Sequence, residues 1–225
     1  MSAGEPIELI SSWRTGQRCP LRVGDKPKRR AWPRKIADVD TVLVHATAEA
    51  GGFGPGKSRL ARKVAEVLGD ETREPTPDEL IEARRRALVE RYGRQTYHGL
   101  YSPTVRTSLV QWPATDYTYH GDRANSCSLG WAYDGRFAPD HSDELDIEGG
   151  RESLRHLIRD ALEQGCPLRR VSPHANHSRK PHDPGPLVWL EVVRPVAEQF
   201  GLELELDWTT GKGQPWARRW MDGSG

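Results

Sequence analysis

Cysteine is scarce in this chain. Its 225 residues hold three, Cys19, Cys127 and Cys166, widely spaced and without a CxxC pair. An odd, scattered set argues against a disulfide framework and for synthesis in a reducing compartment. Long apolar runs are absent too. No stretch approaches the ~18 apolar residues of a membrane span, so membrane insertion is not expected. The opening "MSAGEPIELISSW" has neither a basic nor an apolar region of the signal-peptide kind. Synthesis in the cytoplasm is therefore expected, with another factor providing any exit. There are no internal repeats. Charge of one sign is not in excess either: the net charge is +1, which gives no argument for nucleic acid as a partner. The one local exception is "KPKRRAWPRK", Lys26 to Lys35, readable as a solvated Pro-broken segment or as a contact strip for an anionic polymer.

What is present is a polar chain of modest apolar content. Hydrophobic residues make up 36%, charged residues 29%, and mean hydropathy is −0.74, so the core must lean on bulky side chains, eight tryptophans among them. The length suits one sizeable domain. Residues 1–38 read as an irregular basic segment, 39–208 as the domain, and 209–225 as a loose Gly-rich tail.

Within 39–208, "DTVLVHA" is a β-branched run that predicts a buried strand with His45 at its end. "KSRLARKVAEVLG" predicts a helix on Leu60, Val64, Val67 and Leu68. "TPDELIEARRRALVERYG" predicts a second, opened by a Thr76–Glu79 capping box with Pro77 in its first turn. "QTYHGLYS" and "TSLVQW" read as paired strands, and "CSLGWAYDG" as another, with Cys127 turned to the core. In "GRESLRHLIRDALEQG", Leu154, Leu157, Ile158, Ala161 and Leu162 follow the helical i, i+3, i+4, i+7, i+8 rule. His156 lies off that stripe and is expected at the surface. "PLRRVSPH" leads as a strand to His174. "LVWLEVVRPVAEQFG" reads as a helix that Pro195 must kink or restart, and "LELELDW" as an edge strand. Interleaved strands and helices favour a central mixed β-sheet flanked by α-helices, an α/β fold.

The segment "SPHANHSRKPHDPGP" holds His174, His177, His182 and Asp183 within ten residues. Polar loop residues are the plain reading, with His177 at the surface. Two prolines argue for more. Pro184 restrains Asp183 and Pro181 restrains Lys180, so the loop pre-orients polar groups that solvation alone does not require. A catalytic zinc takes three protein ligands and leaves a position for water. His174 and Asp183 supply two such ligands, and His45, at a strand end, is the natural third.

The ordered set "TVLVHATA … TYHGLYS … YTYHGDRANSCSLGWAYDG … SPHANHSRKPHDPGP" resembles the zinc-dependent N-acetylmuramoyl-L-alanine amidases, which share a fold with peptidoglycan recognition proteins and phage endolysins. The resemblance covers Thr41 to Trp189. It implies zinc as cofactor, held by His45, His174 and Asp183. It places Tyr97 and Lys180 at the reaction centre and His120 and Asn125 against the substrate. His98, next to Tyr97, is expected to face away and to be structural. Two departures stand out. Ala132 occupies the position where many members carry a glutamate general base. Lys180 precedes Asp183 by three residues rather than two, so His182 is a candidate for part of its role. The segment 46–96 is long for the family.

The resemblance implies cleavage of the amide between the lactyl group of N-acetylmuramic acid and L-alanine. Peptidoglycan or muropeptides are the expected partners, and a monomer the expected state. A lytic endolysin that reaches the cell wall after release is preferred. A cytosolic muropeptide-recycling amidase and a non-catalytic peptidoglycan-binding module are the alternatives.

Overall fold

The computed structural model describes residues 6–11, 14, 34–47, 76, 79, 83, 97–103, 106–135, 137–138, 141–142, 145–180, 182–210 and 213. Strands β1 (Glu8–Ser11), β2 (Thr41–Ala46), β3 (Gly99–Ser102), β4 (Thr107–Val110), β5 (Ser128–Tyr133), β8 (Arg170–Pro173) and β9 (Glu203–Leu204) form one sheet in the order β1-β4-β3-β5-β2-β8-β9. Only the β3–β4 hairpin is antiparallel; every other pairing is parallel. A separate ribbon pairs β6 (Phe137–Ala138) with β7 (His141–Ser142). The expected mixed α/β sheet is therefore present. β1 comes from the segment predicted to be irregular.

The central strands are buried on both faces, as parallel strands must be when other elements cover the sheet. Val42, Val44 and Ala46 of β2 and Leu129, Trp131 and Tyr133 of β5 face the main core. Helix α1 (Ile147–Glu163) covers that face with Leu154, Leu157, Ile158 and Ala161. Each such side chain contributes on the order of 1.5–3 kcal/mol by leaving water. The Asp146 side chain caps α1 by accepting from Gly149 N, and it also accepts from Tyr101 Oη and Arg106, so the helix start is tied to β3 and its turn. His156 is not a surface residue. It is half-buried between Ser11 Oγ at 3.0 Å and Ser108 Oγ at 3.2 Å, because β1 closes over that side of α1.

Pro195 sits in the first turn of α2 without interrupting the helix: a π-helical stretch, Val188–Val193, runs directly into α2 (Arg194–Gln199), and Glu191 O, which the proline gives no N–H, accepts instead from Arg151 Nε at 2.7 Å. The edge strand β9 is shorter than its alternating sequence predicts. Of the two early helices, only Glu79 and Ala83 are described, both helical. The capping box is formed: Thr76 N donates to Glu79 Oε2 at 2.9 Å, and Glu79 N donates to Thr76 Oγ1 at 3.4 Å. The rest of both helices lies outside the described residues.

The face of the sheet away from α1 carries the site. Strand alternation sends Leu43 and His45 of β2, and Gly130 and Ala132 of β5, to that side. His45 and Ala132 are register partners across the β2–β5 pair.

Candidate metal centre

His45 ends β2 with a side chain that is fully buried. Both of its ring nitrogens are buried without a hydrogen-bond partner among the described residues. Leaving one buried polar nitrogen unmatched costs about 1–3 kcal/mol, so an imidazole with two such nitrogens calls for a ligand. Burial, helped by the nearby His174, His120 and Lys180, pushes its pKa well below the ordinary histidine value. The ring is therefore neutral and keeps a lone pair to donate.

His174 and Asp183 meet His45 from the loop after β8. The His45 and His174 ring centroids are 4.3 Å apart, and His174 Nδ1 lies 2.8 Å from Asp183 Oδ2. One ligand atom from each of His45, His174 and Asp183 falls within 4.8 Å of the others. Two imidazoles and one carboxylate are a donor set that fits zinc with an open fourth position, and the orphaned His45 nitrogens supply the need for it. Asp183 is aimed by its other oxygen, Oδ1, which accepts from Ala46 N at 2.7 Å. Ala175 N in turn donates to Asp183 O at 2.9 Å, closing the loop on itself. Gly185 then turns the chain at φ +98, where a Cβ would sit 2.0 Å from Phe137 O.

Tyr97 lies against this centre, its ring 4.7 Å from His45, centroid to centroid. Lys180 is half-exposed, with Nζ 3.8 Å from Asp183 Oδ2. His182 is exposed beside Asp183. His120 and Asn125 are both buried. His120 stands edge-on to His45, with centroids 5.8 Å apart. Asn125 Oδ1 accepts from His120 N at 2.9 Å and from Gly121 N at 2.6 Å.

The partners around His120 define its tautomer. Gly130 N donates to His98 Nδ1, and His98 Nε2 lies between Asp116 O at 3.0 Å and the Arg34 guanidinium at 2.8 Å. Ser128 Oγ donates to Ala124 O, so it accepts from His120 Nε2 at 2.8 Å. Thr118 Oγ1 then donates to His120 Nδ1 at 2.8 Å. Both rings are neutral, and burial with the Arg34 charge holds both far below the ordinary histidine pKa. His98 is structural, as expected. It does not face away from Tyr97, however: its ring neighbours His120 at 5.7 Å on the site side of the sheet. Gly130 leaves room for this layer, since a Cβ there would come within 2.6 Å of His120 Cγ.

Two further expectations are corrected. His177 is buried rather than at the surface, because Ser172 Oγ at 2.9 Å, Thr210 Oγ1 at 2.9 Å and the Trp208 ring enclose it. Burial draws its pKa down to about 4. Thr210 belongs to the segment predicted as a loose tail, and its N–H also donates to Asn176 O. Cys127 is half-buried at the entry to β5 rather than in the core, since it ends the 3₁₀ turn Asp122–Ser126 before alternation begins.

Sequence reasoning missed Arg34. Its guanidinium reaches behind the site and donates to Ala114 O at 2.7 Å, Asn125 O at 2.9 Å and Ser128 O at 2.5 Å, and it lies 2.8 Å from His98 Nε2. Burial draws its pKa down to about 10. Nothing in the basic run distinguishes this arginine from its neighbours. Thr118 and Ser128 were also missed, and only their position flanking His120 sets them apart.

No family model matches the sequence, and no curated protein matches it. Solved structures do match. Wild-type Drosophila PGRP-LB superposes with TM-score 0.54 at 13% identity, over 87% of this chain and 96% of that one. The Ph2119 endolysin from a Thermus scotoductus bacteriophage superposes with TM-score 0.51 at 16% identity, over 87% and 100%. Peptidoglycan recognition protein LE, solved with tracheal cytotoxin, a monomeric diaminopimelic acid-type peptidoglycan, gives 0.51 at 16% identity, over 88% and 95%. The chain therefore has the α/β fold of these peptidoglycan recognition proteins and of this phage endolysin.

Proposed function

We propose that this chain is a zinc-dependent hydrolase that cleaves the amide between the lactyl group of N-acetylmuramic acid and L-alanine in peptidoglycan, and that it acts as a lytic enzyme on the cell wall after release. The observation that carries the reading is the fully buried His45, whose two ring nitrogens lack partners among the described residues beside His174 and Asp183. A module that only binds has no use for that arrangement. The fold shared with peptidoglycan recognition proteins and an endolysin supports the substrate class.

His45, His174 and Asp183 would hold the zinc. When bound, the ion would act as a Lewis acid and lower the pKa of a water to about 7. The chain's own groups do the rest. Ala46 N fixes the Asp183 carboxylate, and burial keeps His45 neutral. Lys180, half-exposed at the rim, presents a cation where negative charge develops on the attacked carbonyl oxygen. The water oxygen bonds to the carbonyl carbon, the C–N bond breaks, and the leaving amine takes a proton. Ala132 sits beside His45 and offers no acid. Tyr97, in ring contact with His45, is the group assigned to pass that proton, with exposed His182 as the second candidate. His120 and Asn125 remain assigned to the substrate side through the loop they hold together.

Peptidoglycan or muropeptides are thus the proposed partners, for a monomeric chain that takes neither nucleic acid nor a bilayer. No described helix is long and apolar enough to cross a membrane. The test is mass spectrometry of products from purified sacculi, with and without chelator. Chelator-sensitive release of stem peptides beginning with free L-alanine is expected. Products cut only elsewhere, or none, sink the reading. Preference for soluble muropeptides over sacculi would turn it to recycling.

A further inference from the structure

Tyr97 breaks the rule of the strand it introduces. Along β3 the residues alternate: Gly99 and Tyr101 face α1, where Gly99 abuts Trp131 and Leu157, while Leu100 faces the site side with Ala132. By that alternation residue 97 belongs on the α1 face. Instead its ring packs with Leu100, Ala132 and His45. The backbone explains the reversal. Tyr97 has φ +51, a left-handed conformation that is rare for a bulky residue. It persists only where the surroundings enforce it, and such residues cluster at functional sites.

The enforcing contacts come from both sides. His98 N donates to Gly130 O of β5 at 2.7 Å. On the other side, Gln111 N donates to His98 O at 2.8 Å, and the Gln111 side-chain Nε2 donates to Tyr97 O at 3.1 Å. Gln111 is 1% exposed and lies one residue past β4, so it continues the β3–β4 ladder beyond the Gly99–Val110 pair. A backbone donor at that place would be available from any residue but proline. The second donor, directed at Tyr97 O, requires a side-chain amide of this length.

We propose that Gln111 is a positioning residue: it holds Tyr97 in the left-handed conformation and thereby sets the phenol beside His45. The proposal rests on the amidase reading only for the consequence to turnover, not for the placement itself. Gln111 acts through the Tyr97 carbonyl.

The experiment has two arms on the full chain. In the first, 3-fluorotyrosine replaces Tyr97 and ¹⁹F NMR is recorded on the protein as purified. One dispersed line is expected, and Gln111→Met should move and broaden it. Gln111→Leu, of similar size and without any donor, serves as the second variant should Gln111→Met fail to fold. A line unmoved in a folded variant overturns the proposal. In the second arm, Gln111→Met should lower kcat by about 10²-fold, the scale on which a misplaced group loses rate, with KM within about twofold. In a Tyr97→Phe background the same change should cost less than about twofold, because the two residues act as one unit. An equal loss in both backgrounds overturns the proposal, since that is what a merely structural role gives. If no form of the protein cleaves sacculi while the ¹⁹F line moves, the amidase reading fails and the positioning of Tyr97 by Gln111 stands.

Discussion

Ala46 N donates to Asp183 Oδ1 at 2.7 Å across 137 residues of sequence. This bond joins the end of β2 to the loop after β8, and it leaves Asp183 Oδ2 toward His174. His182, the neighbouring candidate ligand, is exposed and has no such anchor among its described contacts. Asp183→Ala is therefore expected to lose zinc and hydrolysis together. His182→Ala should retain zinc and lose only part of the activity. Metal analysis of the two purified variants decides; the opposite pattern reverses the assignment.

Lys180 stands 3.8 Å from the same carboxylate and is half-exposed. If it stabilises charge in the transition state rather than holding metal, Lys180→Ala keeps full zinc content and loses about 10²–10³ in turnover, the effect of deleting one oxyanion donor. Unchanged turnover would hand the role to His182 or His120.

Arg34 gathers three carbonyls of the segment that carries His120. Arg34→Met leaves those oxygens short of donors, and loss of this network is expected to cost on the order of 2–4 kcal/mol. Arg34→Lys should not restore it, because one ammonium cannot replace a planar fork of five donors. Urea midpoints of the three proteins measure this. A wild-type midpoint in the lysine variant would show that the charge matters and the geometry does not.

His98, His120 and His177 are all buried with lowered pKa, the last to about 4. Unfolded, each titrates near 6.5. Between those values the unfolded chain binds more protons than the folded one, so stability rises with pH there. The contribution is complete above about pH 6.5 and is lost as pH falls toward each folded pKa. For His177 alone it amounts to about 3 kcal/mol across the window from 6.5 down to 4. Urea midpoints should fall steadily from pH 7.5 to 5. A flat profile over that range would mean that these rings do not remain neutral in the fold.

Local pattern was legible wherever one segment decides its own structure. The β-branched run of β2, the apolar stripe of α1 and the Thr76–Glu79 box all depend on residues within a turn or two of one another. His45, His174 and Asp183 stood out as chemistry-bearing residues because His45 lies near a strand end and Pro184 restrains Asp183, both local features. Burial states were less so. His156 and His177 read as surface because nothing beside them in sequence announces Ser11, Ser108, Thr210 or Trp208.

The sequence by itself determined β2, β5 and α1, the mixed α/β class and the identity of the metal-competent side chains, since propensity, alternation and proline geometry act over a few residues. Tertiary structure alone decided the rest. It closed β1 over His156, inserted Arg34 behind His98, fixed the tautomer of His120, and turned Tyr97 onto the site face through φ +51. Each of these depends on a hydrogen bond or a packing contact between distant segments, whose free energy appears only when the sheet brings them together.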